Sequence, residues 1–194
     1  MKNRIVFIIP GFLESHLKQK GYNKIAEFFK ERNIKPVHVN IDWISKKPYK
    51  FRNYIRYVLK EANKYKNSEI YVLGFSYGAI IALLSEFKLK PKTLILCSLS
   101  PYFIEDFKTL EQSWLKWWKK NFKDSDYSFN EIAPKIKART YLIVGAEEGK
   151  ECLKRAKDAR KRIKNSDLII IKEAKHKINQ RIYLEVVKKI VYKL

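Results

Sequence analysis

The sequence predicts an α/β fold: a three-layer sandwich with a six-stranded, mostly parallel sheet and helices on both faces. Three observations lead there. Six short apolar, β-favouring runs recur along the chain, separated by stretches with helical spacing. Strands that alternate with helices pair in parallel, because each helical crossover returns the chain to the same end of the sheet. The first run, Ile5-Val6-Phe7-Ile8-Ile9, is apolar throughout, as expected of a strand covered on both faces. The 194 residues, 46% of them hydrophobic, suit one domain over 1–194 with a sizeable core.

Pro10-Gly11-Phe12 breaks the first strand. From Ser15 to Arg32, the apolar residues Leu17, Tyr22, Ile25, Phe28 and Phe29 follow helical spacing, and Pro36 ends that segment. Val37 to Ile41 reads as the second strand, ending at Asp42-Trp43. Phe51 to Tyr65 reads as a second helix, with Tyr54, Ile55, Val58, Leu59 and Ala62 on one side. Ile70 to Leu73 is the third strand. It runs through Gly74-Phe75-Ser76-Tyr77-Gly78 into Ala79-Ile80-Ile81-Ala82-Leu83-Leu84, a buried helix. Thr93 to Cys97 is the fourth strand. The fifth is Tyr141 to Val144 and the sixth Leu168 to Ile171; helices at Glu151 to Ile163 and Ile178 to Tyr192 follow them.

Composition excludes several classes. No apolar run approaches the roughly 20 residues a membrane helix needs. Met1-Lys2-Asn3-Arg4 precedes a run too short for a signal peptide, and the expected location is the cytoplasm. Cys97 and Cys152 suggest neither a disulfide scaffold nor a zinc site, and no metal or other cofactor is expected. The net charge of +22 attracts polyanions, but the lysines are spread along the whole chain, so no specific nucleic-acid partner is expected.

The chemistry centres on Ser76. A serine between Gly74 and Gly78, after a strand and before a helix, sits on a tight turn that points its hydroxyl out of the sheet beside a helix N-terminus. A hydroxyl needs a base, and an imidazole suits the task. Of three histidines, His38 lies within the second strand and reads as structural. His16 begins the first helix, where it is either a cleft residue or solvated. His176 lies in the loop beyond the sixth strand, where a base belongs. The base needs a carboxylate, and Gly145-Ala146-Glu147-Glu148 follows the fifth strand. Glu148 is preferred over Glu147. Asp106, beside Glu105 past the fourth strand, is a substitute.

The order serine, acid, histidine, each after a successive strand, resembles the α/β-hydrolase superfamily over nearly the whole chain. Gly74-Phe75-Ser76-Tyr77-Gly78 resembles its elbow, Gly145-Ala146-Glu147-Glu148 its acid segment, and Ala174-Lys175-His176 its histidine segment. Ile9-Pro10-Gly11-Phe12 resembles its oxyanion turn, with Pro10 in place of the commoner histidine. The resemblance implies sheet order 2-1-3-4-5-6, without the family's first hairpin. It implies a Ser76–His176–Glu148 triad, an oxyanion hole formed by the amides of Phe12 and Tyr77, and a carboxylesterase-like serine hydrolase acting on a small acyl substrate. A thioesterase or amidase on the same triad, or a non-catalytic protein that binds an anionic partner, are the alternatives.

Residues 101–134 interrupt the alternation where that family inserts a short helical cap. Three of the four tryptophans, Trp114, Trp117 and Trp118, lie here. Either these rings, with His16, line an apolar pocket, or they pack as core, or they form a basic-aromatic face for anionic lipid.

Overall fold

The computed structural model describes residues 2–12, 16–41, 43, 49–124 and 126–194, with backbone alone for 16–18. Six strands, β1 (Arg4–Ile9), β2 (Lys35–His38), β3 (Glu69–Phe75), β4 (Thr93–Cys97), β5 (Arg139–Gly145) and β6 (Ser166–Ile171), form one sheet. Its order is β2-β1-β3-β4-β5-β6, and every neighbouring pair is parallel. The helices are α1 (His16–Glu31), α2 (Phe51–Ala62), α3 (Tyr77–Leu89), α4 (Gln112–Asn121), α5 (Phe129–Ile132), α6 (Lys150–Arg162) and α7 (Arg181–Val191). No described helix is long and apolar enough to cross a membrane.

Alternate residues of β1 divide the core in two. Ile5, Phe7 and Ile9 pack with α2, α3 and part of α6, whereas Val6 and Ile8 pack with α1 and α7. α3 is buried along nearly its whole length, which explains its apolar run.

Most element boundaries differ from expectation by one to three residues, those of β3, β5, β6 and α7 among them, and two have a local physical reason. β2 starts at Lys35, not Val37, and pairs Lys35 to His38 with Ile5 to Ile8. Pro36 is tolerated because β2 is an edge strand, where a missing N–H breaks no ladder on the open side. Val39 and Ile41 lie past the strand but remain buried, so their hydrophobicity marks the core rather than the ladder. Asp42 lies outside the described residues. α2 ends at Ala62, and the chain continues to Tyr65 as a 3₁₀ turn.

The segment between β4 and β5 carries α4 and α5, and long-range bonds hold it to the body. Its Asp124 carboxylate accepts from the Phe51 and Arg52 amides, at 2.6 and 2.7 Å, and so satisfies the N-terminus of α2 from 73 residues away. Lys123 and Tyr49 bond through their backbones at 3.0 Å. Asp106 accepts from the Arg155 Nε at 3.1 Å; both side chains are buried, and the guanidinium lies over the Phe129 ring at 4.1 Å. A buried ion pair with further partners of this kind is costly to break from one side.

Candidate active site

β3 ends at Phe75 and α3 begins at Tyr77, which leaves one residue for the reversal. Ser76 takes it at φ 56°, ψ −118°, a conformation rare for any residue with a Cβ. The turn is possible only because α3 starts against the end of β1. A Cβ built on Gly78 would lie 2.2 Å from the Ile9 carbonyl oxygen and 2.5 Å from that of Pro10. Sequence reasoning found this residue from its flanking elements, and the strained backbone is the physical content of the motif.

A second close approach brings the acid and the histidine together. A Cβ on Gly145 would lie 2.2 Å from the Ala174 carbonyl oxygen. Across this contact the amides of Ala146 and Glu147 donate to Ile171 and Ala174, at 2.8 and 2.9 Å. The loop after β5 is thereby sewn to the loop after β6.

The result is a continuous hydrogen-bonded line. His176 Nε2 lies 2.9 Å from Ser76 Oγ, and His176 Nδ1 lies 2.8 Å from Glu148 Oε2. With Glu148 ionised, Nδ1–H donates to it and Nε2 is free to accept from the serine. The Phe75 ring, 4.8 Å from the imidazole centroid, packs against the His176 ring. Glu147 is exposed and has Lys175 as its ion-pair partner at 4.0 Å, so only Glu148 of the two reaches the imidazole. Asp106 is engaged by Arg155. Glu105 accepts from the amides of Phe129 and Asn130 and from Ser128 Oγ. Burial acts to raise the Glu105 pKa, but these donors outweigh it and hold the carboxyl at about 2. His38 stands at the end of the edge strand, away from Ser76; partial desolvation of its ring, followed by Lys30, lowers its pKa. His16 opens α1, and its side chain lies outside the described residues.

Residues that sequence reasoning missed complete the site. Ser98, at φ 52° and fully buried, donates from Oγ to Glu148 Oε1 at 2.7 Å. The Gly145 amide donates to the same oxygen at 2.6 Å. The Tyr183 hydroxyl, 2.8 Å from Ser98 Oγ and 3.3 Å from the Ile143 carbonyl, anchors Ser98 in turn. Burial, then Cys97 and Glu148, raise the Tyr183 pKa, so it stays a neutral donor. Ser100 Oγ lies 3.1 Å from Ser76 Oγ; with the serine proton directed at His176, Ser100 is the donor in that contact. Both serines follow β4 at the rim where the other site residues lie, and that position was the available signal. Tyr183, on α7, had none.

Among the described residues the amides of Phe12 and Tyr77 have no protein acceptor. The Phe12 ring is held edge-on by Trp43, Tyr49 and Trp117 at 5.1, 5.2 and 5.7 Å, which fixes the turn after β1. A cleft of about 590 Å³ opens over Ser76 and His176, lined on one side by Tyr102, Leu110, Trp114 and Trp117. The three tryptophans separate here. Trp114 is 55% exposed at the cleft and Trp117 half-buried in its wall, whereas Trp118 is 0% exposed and lies in the core. Trp118 stacks on Tyr102 and Phe122 at 4.1 and 4.0 Å, so its inclusion in a pocket is corrected: its helical phase turns it into the core, onto Phe51 of α2 and Tyr77 of α3.

Cys152 also faces the cleft, and its sulfur, a Glu148 oxygen and a His176 nitrogen lie within 4.8 Å of one another. The donors suit a metal poorly. Burial, then Glu148, Glu151 and Asp106, push the Cys152 thiol up to about 12, while Glu148 and His176 are bonded to each other.

Neither a protein-family model nor a curated protein sequence matches the chain. Solved structures do. One is MGS-MChE2, an α/β hydrolase enzyme from a sediment metagenome of the lagoon of Mar Chica, Morocco, with TM-score 0.77 and 16% identity over 99% of this chain and 90% of that one. Another is the mouse alpha/beta hydrolase domain-containing protein 10, with TM-score 0.75 and 14% identity over 99% and 89%. A third is the Pyrococcus furiosus esterase Pf2001, with TM-score 0.70 and 18% identity over 99% and 80%. At such identities likeness speaks for architecture, and with the sheet order and the strained turn at Ser76 it leads to one statement: this chain has the α/β-hydrolase fold.

Proposed function

We propose that the chain is a serine hydrolase that cleaves a small acyl ester, or a related carbonyl substrate, through a covalent acyl-enzyme. The unbroken hydrogen-bonded line from Glu148 through His176 to Ser76 is the observation that supports it. Ser76 Oγ attacks the carbonyl carbon as His176 Nε2 takes its proton. Glu148 stabilises the imidazolium, and Ser98 and the Gly145 amide hold Glu148 in place. The amides of Phe12 and Tyr77 stabilise the oxyanion; losing one such donor typically costs about 3–4 kcal/mol. His176 returns the proton to the leaving group and then activates water against the acyl-enzyme. The acyl chain lies against Trp114, Trp117, Tyr102 and Leu110.

Initial rates on p-nitrophenyl esters of graded chain length test the proposal. The expected result is saturable release of nitrophenolate with a burst at substoichiometric turnover. Folded protein that hydrolyses none of them contradicts it. Trp114→Ala is expected to lower kcat/KM by about tenfold for long esters and hardly at all for acetate, because it removes apolar surface worth ~25 cal/mol per Å² to a chain that reaches it. Unaltered chain-length preference would move Trp114 out of the acyl site.

A further inference from the structure

Lys150, Lys154, Lys157 and Lys161 follow one another on α6 at intervals of four, three and four residues. At 3.6 residues per turn they fall within roughly 60° of arc along about 17 Å of helix. All four are exposed. Among the described residues none has a carboxylate partner, because the ion pairs of α6 belong to Arg155 and Arg162. The acids around them are engaged elsewhere: Asp106 and Asp158 on those arginines, Glu105 on the amides of α5, Glu151 on the Thr109 hydroxyl. Like charges at i, i+4 destabilise a helix, so the stripe is self-repulsive as it stands. A groove of about 600 Å³ runs along it, and Lys150 lines both this groove and the cleft over Ser76.

We propose that the substrate's leaving group carries several phosphates: the acyl chain occupies the aromatic cleft, and the phosphates lie along the lysine stripe of α6. The inference rests on the Ser76 reaction proposed above and names its substrate class. With a thiol carrier, the Ser76 Oγ–acyl bond forms as the carbonyl C–S bond breaks. The serine proton passes through His176 to the departing thiolate. Water then releases the carboxylic acid and restores Ser76. Several lysines along one anionic chain gain affinity by counterion release, and that gain falls with salt.

Coenzyme A, a thiol carrier with phosphates, is the probe, and pantetheine is its phosphate-free counterpart. Binding is measured by titration calorimetry on the Ser76→Ala protein, so turnover is not needed. The expected result is coenzyme A bound at least about tenfold more tightly than pantetheine, with the difference shrinking as salt rises. K154Q/K157Q/K161Q should remove that difference. K20Q/K30Q/K189Q, an equal charge change on the opposite face of the sheet, should keep it. Equal affinity for the two probes, or equal loss in both triple variants, overturns the proposal. In the active protein the ratio of kcat/KM for an acyl-coenzyme A over the matching acyl-pantetheine should follow the same pattern. If p-nitrophenyl esters are cleaved through Ser76 but that ratio is near one, the phosphate inference fails alone. If coenzyme A binds through α6 but no ester or thioester is cleaved, the failure is that of the Ser76 chemistry.

Discussion

Ser76→Ala is expected to lower kcat on p-nitrophenyl esters by a factor on the order of 10⁴ or more, with the fold intact. The expectation follows from geometry. Ser76 Oγ is the one atom bonded both to His176 Nε2 and to Ser100 Oγ, at 2.9 and 3.1 Å, and no other hydroxyl is bonded to that imidazole among the described residues. Stopped-flow traces should lose the burst along with the steady state. Ser76→Gly should lose the same activity but unfold at higher urea than Ser76→Ala. A residue with a Cβ held at φ 56°, ψ −118° carries strain of roughly 1–3 kcal/mol, and glycine relieves it. Equal stability of the two variants would mean that the turn stores no strain.

Gly78→Ala is expected to cost more than ~3 kcal/mol, which places it among the severe single substitutions. The new methyl would meet two backbone oxygens, those of Ile9 and Pro10, at 2.2 and 2.5 Å, and neither can rotate away as a side chain would. Moving that backbone displaces the turn that carries Phe12, so any folded fraction should also lose activity. Gly149→Ala is the control. Gly149 lies at φ 96°, ψ 160°, a region that residues with a Cβ rarely adopt, but nothing lies within 4 Å of a built Cβ, so only conformational strain of about 1–3 kcal/mol is expected. Urea midpoints of the two variants, measured side by side, separate a clash from a backbone preference.

What the sequence revealed and what it hid have physical causes. Period and punctuation marked the strands because a buried parallel strand must be apolar along its length, as β1 and β4 are. Ser76 was legible because its constraint is local: two glycines, a strand before and a helix after. Glu148 was preferred over Glu147 only by its distance from Gly145, since the carbonyl contact at Gly145 that aims it joins residues 29 positions apart. Ser98, Tyr183 and the Asp124 cap of α2 rest on contacts 50, 85 and 73 residues apart along the chain. No local pattern encodes such pairs. Trp118 was assigned with its neighbours because Trp117 and Trp118 are adjacent and α4 is amphipathic only in outline. Its phase relative to the sheet is set by packing on Tyr77, Tyr102 and Phe122.

A fluorophosphonate bonds covalently to a serine only when a base and an oxyanion hole activate it. The most direct measurement is therefore mass spectrometry of the protein after such treatment, with the adduct mapped by peptide. One adduct per chain, on the peptide containing Ser76 and absent from His176→Ala, is the expected result. Folded protein that takes no label, or takes it elsewhere, contradicts the convergence of Ser76, His176 and Glu148 as a working catalytic unit.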